Sequence, residues 1–185
     1  TYRIAKLSRT IMYNVRHMVA ALLLAIGFSA FAADPEIAIE KRGDVFVIDA
    51  TIDFPAPLRT AWDVLTDFDH MVGVLSNLTQ SKITGQTGNK LQVHQEGTAK
   101  YGLFSYSFES DREIRLKPMR KINARQISGN TTSFFSVMEL SENGTGTRGR
   151  YHAEVVPDSG IARTFGGPFI QHEIEEQFSA MVAEM

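Results

Sequence analysis

Cysteine is absent from the 185 residues. That excludes a disulfide, a thiolate nucleophile and a cysteine-ligated metal. A strong excess of either charge is missing as well, with 19 Lys and Arg against 21 Asp and Glu and a net charge of −2. The balance is uneven along the chain. Residues 1–32 hold Arg3, Lys6, Arg9 and Arg16 and no acidic residue, so all 21 acidic residues fall in a remainder with 15 basic ones. A mildly acidic body excludes general nucleic-acid binding, which needs a strongly basic surface. No His-Glu-x-x-His or other metal spacing occurs; His172-Glu173 is not that motif. His70, His94, His152 and His172 therefore read as surface or core residues, and neither a metal nor a cofactor is expected. Repeats and low-complexity tracts are lacking, and a chain of this length with 43% apolar and 22% charged residues is expected to form one ordinary domain.

The N-terminus carries an address. A basic stretch (1–17) leads into MVAALLLAIGF (18–28), and Ala30-Phe31-Ala32 follows as a small-x-small site. This order is that of a secretory signal peptide cleaved near Ala32 and predicts export to the periplasm; a retained membrane or amphipathic helix is the alternative. The apolar run is short for a permanent bilayer span. Residues 33–42 read as a linker and 43–185 as the domain.

Within the domain the hydrophobic period changes twice. Phe46, Ile48, Ala50, Ile52 and Phe54 alternate and predict a strand, ended by Pro55-Ala56-Pro57. Leu58, Ala61, Trp62, Leu65 and Phe68 recur at helical spacing, and a second short helix is expected over 68–75. From Ser81 the period returns to two. Strands are expected at 80–86, 90–100, 103–116, 121–129, 132–142 and 147–157, separated by turns such as Thr87-Gly88-Asn89 and Gly129-Asn130. Short links between consecutive strands imply an antiparallel meander. Gly160 and Gly166-Gly167-Pro168 are read as breaks, and the GIARTFGGP segment as a mouth, a hinge or an ordinary connector. A final helix over 169–185 carries the stripe Ile170, Ile174, Phe178, Met181 and Met185, with Glu173, Glu175 and Glu176 off it.

The stretch containing Ile52, Pro55, Pro57, Ala61, Trp62, Leu65, Thr66, Asp67 and Phe68 resembles the opening of START-like (SRPBCC) proteins, within the bacterial polyketide cyclase/dehydrase and coenzyme Q-binding-like group. The coarse match extends over about 43–185. The resemblance implies an α+β helix-grip fold: a curved antiparallel sheet of about seven strands around a long C-terminal helix, with two short helices after the first strand. Such a fold implies an apolar cavity between sheet and helix, the usual small-molecule site.

Alternation then selects the lining. Tyr106, Phe108, Phe134, Ser136, Met138 and Tyr151 share the inward phase, and Ile170, Ile174 and Phe178 face them from the helix. A filled core without a cavity is the competing reading. Trp62 is expected to anchor the first helix in the core, and Asp67 to cap a helix end. Arg112, Arg115, Lys117, Arg120, Lys121 and Arg125 cluster about one hairpin, read as a solvated face or as a site that attracts an anionic head group or, transiently, a membrane surface. No catalytic constellation is recognisable.

Three functions fit these features. The first is a periplasmic binding or carrier protein for an apolar small molecule: a lipid, a quinone or a polyketide-like compound. The second is a cyclase- or dehydratase-like enzyme, which the resemblance permits and which would need an inward acid–base pair. The third is an envelope protein–protein interaction module with a closed core. The oligomeric state stays open.

Overall fold

The computed structural model describes residues 35–158 and 160–185. The expected leader lies outside the described residues. The chain forms β1 (Glu36–Arg42), β2 (Val45–Phe54), α1 (Leu58–Thr66), α2 (Met71–Val74), β3 (Leu78–Thr87), β4 (Lys90–Tyr101), β5 (Phe104–Lys117), β6 (Lys121–Gly129), β7 (Thr131–Asn143), β8 (Gly146–Pro157) and α3 (Gly160–Glu184). The strands make one antiparallel sheet in the order β1-β2-β8-β7-β6-β5-β4-β3. Strands β3 to β8 pair in sequence as a meander, and β2 pairs with β8. The two short helices carry the chain from β2 to the far edge of the sheet.

Three expectations are corrected. The sheet has eight strands rather than about seven, because Glu36–Arg42, read as linker, pairs residue for residue with β2. The two short helices accordingly follow the second strand, not the first. The C-terminal helix also begins at Gly160, so the GIARTFGGP segment belongs to the helix. Its glycine at 166 serves close packing: a Cβ there would lie 2.5 Å from Phe46 Cζ. Pro168 faces solvent inside the helix and removes one amide donor without ending it.

Alternation does what the sequence implied. Phe46, Ile48, Ile52 and Phe54 are almost wholly buried on the inner face of β2. One core cluster gathers Ala50, Ile52, Phe54, Ala61, Trp62, Leu65, Met138, Leu140 and Phe178, joining β2, β7, α1 and α3. A second gathers Phe68, Met71, Leu75, Leu78, Leu91, Val93, Ile114 and Ala124 beneath α2. Thr147 ties the proline-rich link to the sheet, its hydroxyl donating to Ala56 O at 2.9 Å. Asp67 ends α1 but caps no helix amide; its carboxylate meets His70 Nδ1 at 2.8 Å.

The edge strand β3 is irregular. Its register against β4 shifts twice, between Leu78 and Gln80 and between Ile83 and Gly85. Asp69, from the turn before α2, accepts the Ile83 amide at 2.8 Å.

Candidate functional site

A cavity of about 320 Å³ opens between the inner face of the sheet and the helices. Leu65, Phe68, Met71, Leu75 and Leu78 wall it from the α1–β3 segment. Ala99, Tyr106, Phe108 and Phe134 wall it from the strands, and Phe169 and Met181 from α3. The exposed residues Glu109 and Asn130 lie at its rim.

One close approach shapes this wall. Gly97 on β4 faces inward opposite Phe108, and a Cβ on it would lie 2.6 Å from Phe108 Cζ and 2.2 Å from Asn77 O. Only a glycine lets the ring and the start of β3 meet there.

Polar groups enter the same space from β4, β5 and β6. Gln95 Nε2 donates to Ser81 Oγ at 2.8 Å, and Ser81 Oγ donates to Phe68 O at 2.5 Å, so a buried relay is satisfied. Tyr106 Oη donates to Asn130 O at 3.2 Å, and burial raises its pKa, assisted by the charge of Asp158. Gln126 is held by Thr131 beside a register shift in β6, where Arg112 pairs with Gln126 and Asp111 with Ser128. Such a bulge re-aims neighbouring side chains.

Three side chains are incompletely satisfied. Asn77 Nδ2 donates to Glu173 Oε2 at 2.8 Å, but Asn77 Oδ1 and Glu173 Oε1 are buried without a partner. Burial raises the Glu173 pKa, against the hydrogen bond from Asn77 and with the like charge of Glu176. Arg112 lies over the Phe134 ring, 5.8 Å from its centroid, and its Nε is buried without a hydrogen-bond partner. Burial lowers its pKa, opposed by Tyr151.

Of the nine residues selected from sequence, Tyr106, Phe108 and Phe134 line the cavity. Ser136, Met138 and Tyr151 occupy the same face of the sheet but lie outside the lining. Met138 is part of the filled core with Phe178, and Tyr151 and Ile174 pack against that core. The Tyr151 and Phe178 rings meet edge-on at 5.3 Å. Ile170 is half-buried and also outside the lining. The β2–β8–β7 side of the interior is filled, and the cavity lies toward β4 and β5. Helix α3 presents Phe169, Glu173, Gln177 and Met181 to it, a stripe offset from the one read in the sequence. Glu173, placed off the apolar stripe, is 8% exposed.

Glu173, Asn77, Gln95 and Gln177 were not among the sequence candidates, and Arg112 was read only as one cation of the basic hairpin, not as cavity lining. The signal for Arg112 was present, since the alternation through Tyr106 and Phe108 continues inward at 110 and 112. Its neighbours in the basic cluster do face outward, with Arg115 Nε on Glu113 at 2.8 Å and Lys121 paired to Glu139.

A metal-ligating set is approached on the outer face. His94, Glu109 and Asp111 bring donor atoms within 4.8 Å of one another. Hydrogen bonds account for this geometry: His94 Nδ1 meets Asp111 at 2.8 Å, His94 Nε2 meets Glu96 at 3.0 Å, and Ser128 donates to Asp111 at 2.6 Å.

Residues 46–185 match the family model described as polyketide cyclase / dehydrase and lipid transport. A search of curated proteins returns no match. Among solved structures, the chain is similar to the Zhui aromatase/cyclase of a Streptomyces species, with TM-score 0.67 and 13% identity over 76% of this chain and 93% of that one. It is similar to a START superfamily protein from Mycobacterium smegmatis, with TM-score 0.65 and 12% identity over 75% and 95% of the two chains. A STAR-related lipid transfer protein from Xanthomonas axonopodis aligns with TM-score 0.61 and 8% identity over 83% and 96%. At these identities the likenesses establish the fold.

Proposed function

The chain belongs to the polyketide cyclase/dehydrase and lipid-transport family, and on that premise we propose that it is a binding or carrier protein for one apolar small molecule. The superfamily includes lipid-transfer and polyketide cyclase/dehydrase proteins, and so is one of hydrophobic-ligand proteins. The observation that carries the reading is the cavity of about 320 Å³ walled by Leu, Phe and Met side chains from the helices and the sheet. That volume lies in the range of small-molecule sites. The ligand classes are a lipid, a quinone or a polyketide-like compound. The basic, apolar and Ala-x-Ala order of residues 1–32 supports a periplasmic setting for the carrier.

Displacement of a neutral fluorescent probe, N-phenyl-1-naphthylamine, by a homologous series of alkanols tests this. Each buried methylene contributes about 0.8 kcal/mol, so affinity should rise by up to roughly fourfold per carbon until the cavity is full. Native mass spectrometry of protein from its own host, with organic extraction, identifies the natural occupant. A protein that binds neither probe nor alkanol and carries no extractable molecule refutes the proposal. Turnover of a polyketide-like substrate would replace the carrier by the enzyme reading.

A further inference from the structure

We propose that the ligand is an amphiphile with an anionic head, a carboxylate or a phosphate, and that Arg112 binds that head; this rests on the cavity being a ligand site. Arg112 projects from β5 into the cavity between the inward positions Ser110 and Ile114. Among the described residues no carboxylate lies within 4.0 Å of its guanidinium, and its Nε is shut off without a hydrogen-bond partner. Its one ring contact is the face of Phe134. Several outward cations of the sheet, by contrast, lie against carboxylates. Lys90, Arg115 and Arg125 surround Glu113, Lys121 meets Glu139, and Arg148 grips Asp53 with two nitrogens at 2.8 Å each. Arg112 points into the apolar space, away from the solvent that screens an outward cation.

The chemistry of that arrangement is specific. A guanidinium does not shed its proton in a protein, so Arg112 is a fixed positive charge among hydrocarbon walls. A buried charge without a partner opposes folding, and methionine of similar length would pack there better. A ligand anion supplies what the fold withholds. The planar fork of arginine matches the two oxygens of a carboxylate or phosphate, whereas a neutral carbonyl or hydroxyl leaves the charge uncompensated.

Competition against N-phenyl-1-naphthylamine separates the levels of the argument. Dodecanoate, dodecyl phosphate and dodecanol, all kept below their micelle concentrations, are titrated into the purified protein and into Arg112→Met. The expected result is that one or both anions displace the probe at roughly 10- to 100-fold lower concentration than the alcohol, the range for hydrogen bonds to a charged group. The stronger of the two anions assigns the source, a fatty-acid-type or a phospholipid-type head. Arg112→Met should erase the preference of the anions over dodecanol, read as the ratio of their displacement midpoints within that variant so that any general change in probe affinity cancels. Its unliganded melting temperature should be no lower than that of the parent. An alcohol as potent as both anions in the parent, a preference that survives Arg112→Met, or a lower melting temperature of that variant overturns the head-group inference alone. Failure of the parent to bind the probe or any dodecyl compound overturns the cavity reading and this inference together.

Discussion

Substitution of Gly97 by alanine puts one methyl group where two walls of the cavity meet. The added Cβ would sit 2.2 Å from Asn77 O and 2.6 Å from Phe108 Cζ. The ring can rotate away, at about 0.5–1.5 kcal/mol for an off-rotamer side chain. The carbonyl cannot, because it is backbone and accepts the Thr98 amide at 2.8 Å. Moving it loosens that hydrogen bond, worth about 1 kcal/mol, and shifts the start of β3 against β4. Overpacking of a dense interior adds about 1–3 kcal/mol, while the lower entropy of an unfolded chain with alanine offsets about 0.4–1 kcal/mol of the loss. The net expectation is a loss of about 2–5 kcal/mol, or a fall in melting temperature on the order of 5–15 °C for a chain of this size. Urea unfolding followed by the fluorescence of Trp62, the single tryptophan and a core residue, measures it directly. A double-mutant cycle with Phe108→Ala should recover only the ring's share, leaving the backbone clash. A midpoint unchanged to within about 0.5 kcal/mol would refute the packing argument.

Three further outcomes follow from the charged groups. Glu173 has a pKa raised chiefly by burial, so its contribution to stability is present below the unfolded-state pKa and is lost as pH rises through the folded value. Glu173→Gln should therefore raise the melting temperature more at pH 8 than at pH 4, and equal gains at both would count against it. His94 has a pKa raised by hydrogen bonds to Glu96 and then Asp111, a contribution present below about 6.5 and lost as pH rises through the folded value. His94→Gln should lower thermal stability near pH 5.5 and leave it nearly unchanged at pH 9; the reverse order excludes the ion pairs. Asp53 is gripped by Arg148, which lowers its pKa first through the hydrogen bonds, with help from Asn143. Both partners are over a third exposed, so Asp53→Asn should cost about 0.5–1 kcal/mol at pH 7 by chemical denaturation, and less in high salt.

Most of the sheet was legible because each meander strand buries one face. Phe46 to Phe54 and Phe134 to Leu140 show the period of two without tertiary help. Strand β1 was not legible, since Ile37 and Ile39 are its only large apolar residues and its order comes from pairing with β2. The first turns of α3 were hidden by three glycines and a proline. Those residues predict a break in water, but one of them lies against the Phe46 ring, where a larger residue would collide. The site was legible only as a face. Alternation assigns Phe134 and Met138 to the same side of β7, yet cannot say that one borders a void and the other fills the core. That division depends on where α1 and α3 rest over the sheet, a non-local matter. On α3 an apolar stripe points to the filled half, while the cavity receives Glu173 and Gln177, which polarity alone places in water. Arg112 was masked for a simpler reason: five of the six cations in its cluster do face outward, and a charge run reads as one surface.

An antiparallel sheet that does not close leaves two rows of backbone groups at its ends, and each invites another strand. Here those ends are β1 and β3. On β3 the two shifts in register bend the strand out of the straight ladder that an added strand would need. The Ile83 amide, one of the donors such a strand would use, is already taken by Asp69. On β1 the sequence EIAIEKR places Glu36, Glu40, Lys41 and Arg42 along the edge, with Arg42 folded back onto Glu40. The irregularity of β3 and the charge of β1 thus guard the eight-stranded sheet against edge-to-edge growth, and the wide inner face stays available to a single helix and whatever lies beneath it.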